Sequence, residues 1–215
     1  MAHFACIFDL DGVITDTAHY HFLAWQRLAH SLGIDFDEAD NERLKGVGRM
    51  ESLAYILAKT DRPFTDAERN KLAAQKNEDY KELIKGITPG DLLPGIPEAF
   101  NWLRANNWLI GLASASRNAP QVIESLQVAD VFDYVADAGK IPNGKPAPDI
   151  FFDVAQAFGL PSSKCLGVED AASGVTAIKA AGMYAVGIGS AETLAHADII
   201  LPTPEGLAEQ VFTRF

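Results

Sequence analysis

Phe4-Ala5-Cys6-Ile7-Phe8-Asp9-Leu10-Asp11-Gly12-Val13 sets a short apolar run against two carboxylates and a glycine. The branched and aromatic residues of 4–8 predict a buried β-strand, and the acids mark its C-terminal end. Similar runs recur at 108–113, 134–136, 165–168, 184–188 and 199–201. Between them, from 96 onward, apolar residues fall at spacings of three and four over 96–103, 120–126, 150–158 and 174–181, with Gly159 and Gly182 placed as helix stops. Strand and helix alternate, so the chain reads as an α/β protein built on a doubly wound, Rossmann-like parallel sheet. Ligands of such sheets bind at the carboxyl ends of the strands, which is where Asp9 and Asp11 fall.

The segment 17–88 breaks that rhythm. Ala18, Phe22, Trp25, Leu28, Ala29 and Leu32 form one helical stripe ending at Gly33. Leu53, Ile56 and Leu57 form another, and Thr65 with Glu68 opens a third helix as a capping box. No strand pattern occurs there, so the expected organisation is a core domain over 1–15 and 92–215 carrying an inserted helical cap domain over 16–91. The connections fall at 15–17 and 86–91, the second containing the turn-forming Thr88-Pro89-Gly90.

A chain of 215 residues with 48% hydrophobic and 22% charged residues has the composition of a folded globular protein. Its formal net charge of -11 disfavours nucleic acid and anionic membranes as partners, and no apolar stretch approaches the ~18 residues of a membrane span. The apolar N-terminal run lacks a basic flank and ends at Asp9, so it reads as a strand and not a signal peptide, which leads to a cytoplasmic expectation. Cys6 and Cys165 lie inside strand patterns and read as reduced core residues.

Two acids at a strand end repel one another unless a cation or a shared proton intervenes. Glu169-Asp170 repeats the arrangement after 165–168, and strand ends of a doubly wound sheet converge, so a hard-oxygen magnesium site is expected there. Ser114-Ala115-Ser116 follows the 108–113 strand, Asn118 opens the next helix, and Lys145 sits in the proline-rich loop Gly144-Lys145-Pro146-Ala147-Pro148. Hydroxyls, backbone amides and a fixed ammonium group are what a phosphoryl group needs. In the insert, Lys45-Gly46-Val47-Gly48-Arg49 offers two glycines between two cations, an anion-binding pattern. His21 and Trp25 share a helical face; a tryptophan there is more often core, while His21 beside the connection can reach the cleft between insert and core. Lys76 taken alone reads as a solvated charge on a strongly charged helix. His3, His19, His30 and His196 carry no partner pattern, and Gly187-Ile188-Gly189 reads as a turn.

Asp9-Leu10-Asp11-Gly12-Val13, Ser114, Lys145 before Pro146, and Glu169-Asp170 resemble, in order and spacing, the four motifs of the haloacid dehalogenase superfamily over the whole chain. Asp11 points within that superfamily to phosphoryl transfer. Thr15-Asp16-Thr17-Ala18, His21, Trp25, Leu44 to Arg49, Lys76-Asn77 and Ala113 to Asn118 are similar to its sugar-phosphate mutases, with Gly48 where a serine is expected and Arg117 where a lysine is familiar.

The resemblance implies interconversion of β-glucose 1-phosphate and glucose 6-phosphate, with Asp9 as nucleophile and Asp11 as general acid and base. It implies magnesium held by Asp9, the Asp11 backbone carbonyl and Asp170, with Glu169 beside or on the ion. Ser114 and Lys145 are implied to stabilise the transferring phosphoryl group, and β-glucose 1,6-bisphosphate to be the priming intermediate. Arg49, Ser116, Arg117 and Asn118 would hold the second phosphate. His21, Trp25, Lys45, the 46–48 loop, Ser52, Lys76 and Ala115 would complete the substrate site of a monomeric enzyme acting on a small sugar phosphate. A sugar-phosphate phosphatase on the same scaffold and a noncatalytic sugar-phosphate sensor are the rival readings.

Overall fold

The computed structural model describes residues 4–215. The start of the expected core segment, and His3 with it, lie outside the described residues.

Strand β1 (Ala5–Phe8) is buried along its whole length, and its side chains alternate between two apolar clusters. Cys6 and Phe8 join the cluster formed with α5 (Ile96–Ala105), α6 (Ala119–Ser125) and residues 207–212. Ala5 and Ile7 join the cluster of α7 (Asp149–Phe158) and α8 (Ala172–Ala180) on the other face. A strand covered on both sides needs apolar residues at every position, hence a continuous run and not an alternation.

The remaining strands are β2 (Leu109–Leu112), β3 (Tyr134–Val135), β4 (Cys165–Glu169), β5 (Tyr184–Ile188) and β6 (Ile199–Leu201). Each lies within one residue of its expected ends. All pairings are parallel, in the order β3-β2-β1-β4-β5-β6. The order reverses between β1 and β4, where the loops after the two strands part and leave a crevice. Phe8 is in register with Val168, and Asp9 N donates to Val168 O at 2.9 Å, so the two acid pairs emerge side by side at that crevice.

Between β1 and α5 the chain forms four helices: α1 (Ala18–Ser31), α2 (Glu38–Leu44), α3 (Arg49–Leu57) and α4 (Asp66–Leu83). Trp25, Leu28, Phe36, Leu53 and Ile56 make the insert's own apolar cluster. Ala24, Tyr80, Ile84 and Ile87 belong instead to a cluster of the sheet domain, so the insert packs on the core through α1 and α4. The two connections lie against each other: Thr15 Oγ1 donates to Asp91 O at 2.7 Å, and Leu93 N to Ile14 O at 2.9 Å. Thr88-Pro89-Gly90 leads into a 3-10 turn over Pro89–Asp91, with Asp91 accepting from Thr88 N at 2.8 Å.

Helix α2 was not foreseen, because it buries only Asp40 and Leu44 and has no stripe to read. Its start is nevertheless encoded: Asp37 accepts from Asp40 N at 2.9 Å and Asp40 accepts from Asp37 N at 3.2 Å, a capping box with aspartate where glutamate is the usual signal. The tight helical turns over Leu207–Val211 and Phe212–Arg214 were also not foreseen. Cys6 and Cys165 are buried free thiols, and among the described residues no helix is long and apolar enough to cross a membrane.

Asp40 also accepts a hydrogen bond from Tyr55 Oη at 2.9 Å and pairs with Lys59. Burial opposes its charge, but the bonds from Lys59, Asp37 and Tyr55 outweigh it and hold the carboxyl below its usual range. Asp40→Ala should cost about 1–3 kcal/mol at pH 7, as expected for a lost cap with charged hydrogen bonds. A depressed folded-state pKa adds stability above the unfolded value and loses it on acidification, so the difference in urea midpoint from wild type should shrink between pH 7 and pH 3.

Candidate active site

The loops after β1, β2 and β4 and the insert enclose a cavity of about 460 Å³, a size suited to a small polar ligand. Asp9 ends β1, 3% exposed. Lys145 Nζ, its side chain wholly buried, lies 2.6 Å from Asp9 Oδ1 and 2.5 Å from Glu169 Oε1. Burial alone would lower this ammonium group, but the two carboxylates hold it above its ordinary value. Glu169 is itself fully buried and its other oxygen accepts from Ala171 N at 3.0 Å. Gly174 packs on that carboxylate so tightly that a Cβ would collide with it.

Asp9, Glu169 and Asp170 each place a carboxylate oxygen within 4.8 Å of the others. Burial, then Glu169, then Asp9 push Asp170 well above the usual carboxylate range. Lys145 bonds two of these three crowded acids and the donors are hard oxygens, so the cluster fits a divalent cation such as magnesium. Asp170 and Asp9 line the cavity, whereas both Glu169 oxygens are already bonded to protein. Glu169 thus stands beside the candidate metal site and also holds Lys145.

Asp11 follows at the cavity wall. Its carboxyl is pushed up to about 8, chiefly by burial and then by the Asp9 charge. Thr17, fully buried, donates its hydroxyl to Asp11 Oδ1, and His21 Nε2 stands 3.8 Å from Asp11 Oδ2. On the other side of the imidazole, Lys76 Nζ is 2.7 Å from Nδ1. Lys76 is only 2% exposed, contrary to the solvated reading of its charged helix. It rests 4.6 Å over the Trp25 ring and 4.8 Å over Tyr80, and burial followed by Arg49 pushes it down to about 7. Burial and Lys76 keep His21 neutral, well below its ordinary value, so Nδ1 accepts from the ammonium and Nε2 carries the hydrogen that faces Asp11.

The insert closes the cavity from above. Lys45, Gly46, Val47, Gly48, Arg49 and Ser52 all line it, and Gly48 is the N-cap of α3 with no side-chain bond. Gly46 has φ +69° and could not be replaced without strain, since a Cβ would also meet Ser173 Oγ at 2.9 Å. Burial is the main cause, and the Arg117 charge the second, of a lowered Arg49 pKa, and both residues line the cavity. Neither has an ion-pair partner among the described residues.

From the core, Ala115, Ser116, Arg117 and Asn118 line the opposite wall. Ser114 is 2% exposed and does not line it: its Oγ accepts from Ser116 N at 3.1 Å, leaving the hydroxyl hydrogen available. Asn118 starts α6 without capping it, and its Nδ2 instead donates to Asn77 Oδ1 on α4 at 2.9 Å.

A family model for haloacid dehalogenase-like hydrolases matches residues 5–182. The β-phosphoglucomutase of Bacillus subtilis is 47% identical over 199 residues, covering 92% of this chain and 88% of that protein. The chain belongs to the haloacid dehalogenase-like hydrolase family. A crystal structure of β-phosphoglucomutase from Clostridium difficile superposes with a TM-score of 0.95 at 44% identity, over 100% of this chain and 96% of that one. Hexitol phosphatase B of Escherichia coli is 30% identical over 184 residues, with 85% and 82% covered.

Thr17, Asn77 and Tyr80 touch candidate site residues, Asp11, Asn118 and His21 respectively, and sequence reasoning did not place them at the site. Tyr80 is fully buried, its ring 4.0 Å from that of His21, and its hydroxyl has no partner among the described residues. The available signal was spacing: Lys76, Asn77 and Tyr80 share one face of α4.

Lys145→Met should cost about 3–5 kcal/mol of stability, because Asp9 and Glu169 would lose the cation that makes their burial tolerable. Added magnesium chloride should recover part of that loss in a thermal melt by binding the folded acid cluster. A variant as stable as wild type without metal would contradict the ion-pair assignment.

Proposed function

We propose that the chain interconverts β-D-glucose 1-phosphate and D-glucose 6-phosphate through a phosphorylated Asp9 and β-glucose 1,6-bisphosphate. The observation that carries this reading is that two sets of cations line one cavity: Lys145 on Asp9, and Arg49 with Arg117, neither of which is in an ion pair among the described residues. A bisphosphate presents two dianions, and a phosphatase of monoesters needs only the first set. The similarity to β-phosphoglucomutases supports the same reading.

Asp9 attacks phosphorus in line and its carboxylate becomes an acyl phosphate. Magnesium would be held by Asp9, the Asp11 backbone carbonyl and Asp170. When bound, it offsets charge between the attacking carboxylate and the phosphoryl oxygens. Lys145 and the Ser114 hydroxyl add fixed donors to those oxygens, and Glu169 keeps Lys145 aimed. Asp11, raised to about 8, carries a proton at neutral pH and gives it to the departing sugar oxygen. In the return step it accepts the proton of the attacking hydroxyl. Thr17 and His21 orient it, and Lys76 fixes the tautomer of His21. Arg49, Arg117, Ser116 and Asn118 grip the phosphate that is not transferred, while Lys45, Ser52, Trp25, Ala115 and the 46–48 loop enclose the sugar. Closure of the cap over 16–91 keeps water from phospho-Asp9. The enzyme acts as a cytoplasmic monomer on small sugar phosphates, without nucleic acid or membrane partners.

The phosphatase reading is favoured by the similarity to hexitol phosphatase B and differs only in the acceptor of the phosphoryl group. Phosphorus NMR with magnesium, β-glucose 1-phosphate and catalytic bisphosphate separates the two: glucose 6-phosphate should accumulate, and stoichiometric inorganic phosphate would establish hydrolysis instead. Asp9→Asn should abolish both products in a folded protein. Arg49→Ala should depress isomerisation much more than hydrolysis of acetyl phosphate, which has no distal phosphate. Equal losses would mean that Arg49 serves general closure.

A further inference from the structure

The cap loop meets the core at one point beside the acid cluster. Lys45 ends α2, and its carbonyl oxygen accepts a hydrogen bond from Ser173 Oγ at 3.1 Å, across 128 residues of sequence. Ser173 stands in the first turn of α8, directly after Glu169, Asp170 and Ala171. Lys45 Nζ is 3.9 Å from Asp170 and 2.6 Å from Glu42, so its ammonium leans toward the same segment. Gly46 makes the approach possible: a Cβ there would come 2.9 Å from Ser173 Oγ and 3.3 Å from Ala171 Cβ. A separate side-chain hydrogen bond, from Asn118 Nδ2 to Asn77 Oδ1, joins α4 to the core. The loop that carries Arg49 is thus tied to the core by a hydroxyl that touches neither the reacting aspartates nor the cavity.

We propose that Ser173 is a positioning residue, whose hydroxyl latches the Lys45–Arg49 loop onto the start of α8 and so sets how phospho-Asp9 partitions between a sugar hydroxyl and water. The proposal rests on the mutase reading above. In transfer, the sugar oxygen bonds phosphorus, the Asp9 carboxylate leaves, and the hydroxyl proton goes to Asp11. In hydrolysis, water takes the place of the hydroxyl, its proton follows the same route, and inorganic phosphate is released. Both need the phosphorylated aspartate, but only transfer needs the cap shut over a bound sugar. Loss of the latch therefore shifts the ratio of products and not the chemistry of Asp9.

The test compares wild type, Ser173→Val and Ser173→Thr, using magnesium, β-glucose 1-phosphate and catalytic β-glucose 1,6-bisphosphate. Glucose 6-phosphate and inorganic phosphate are followed together by phosphorus NMR, and thermal midpoints establish that each variant is folded. Valine matches threonine in shape and lacks only the hydroxyl. One neutral hydrogen bond in the closed state corresponds to roughly a 2- to 10-fold change in the ratio of isomerisation to phosphate release. Ser173→Val should lower that ratio by this amount, Ser173→Thr should restore it, and the acetyl phosphate hydrolysis rate should stay at the wild-type level in both. An unchanged ratio in folded Ser173→Val would overturn the proposal, as would an equal fall in Ser173→Thr, which would trace the effect to bulk. Wild-type protein that releases phosphate without isomerising would remove the mutase reading, and this proposal with it.

Discussion

Lys145 Nζ lies between Asp9 Oδ1 and Glu169 Oε1, with no solvent exposure of its side chain. Three acids converge at the switch point of the sheet because β1 and β4 are neighbours and both end in carboxylates. In water these groups would be held apart by repulsion and hydration. Inside the protein they are stable only because one ammonium group is aimed at two of them, and because their geometry leaves a place for a divalent cation. The loop over 140–148 has to hold that lysine in one position, and its prolines restrict the backbone to do so. The arrangement raises Glu169 to about 7 and Asp170 well above the usual carboxylate range, burial being the leading cause of each.

From that centre the site extends upward by a chain of contacts that crosses from core to insert. Asp11 is met by Thr17 at the connection, by His21 on α1, and through His21 by Lys76 on α4. Burying Lys76 among Trp25, Tyr80 and His21 is costly for its charge, which its lowered pKa reflects. Burial and Lys76 keep the His21 imidazole neutral, and this cluster sits where the insert packs on the core. Tyr80 and Ile84 belong to an apolar cluster of the sheet domain and anchor α4 at the same junction.

Two cationic centres in a chain of net charge -11 reconcile an acidic protein with an anionic substrate. The excess acid is spread over the surface, whereas Lys45, Arg49, Lys76, Arg117 and Lys145 converge on one cavity. A local field of this kind attracts phosphate while the net charge discourages polyanions and anionic surfaces. Gly48 at the N-cap of α3 forgoes a side-chain cap where a serine would supply one, and Glu51 folds back over it. The loop before α3 is joined to the core by the bond from Ser173 Oγ to Lys45 O.

The sequence by itself determined the sheet, its six strands and the four acids at two strand ends, because continuous apolar runs and turn residues act locally and need no partner to be read. Alternation of strand and helix then forced the parallel order that brings Asp9 beside Glu169. It also determined the Thr65 capping box, whose bonds span three residues. It did not determine α2, where aspartate replaced the usual capping glutamate and no stripe existed, nor the burial of Lys76, a charged residue that shares the buried side of α4 with Ala73 and Tyr80. Only the tertiary structure decided that Glu169 spends its oxygens on Lys145 and Ala171, that Asn118 reaches Asn77 instead of capping α6, and that Ser173 touches Lys45. Each of these is a contact between segments far apart in sequence. Residue type and spacing fix which hydrogen bonds a side chain can make, and packing alone selects which of them it does make.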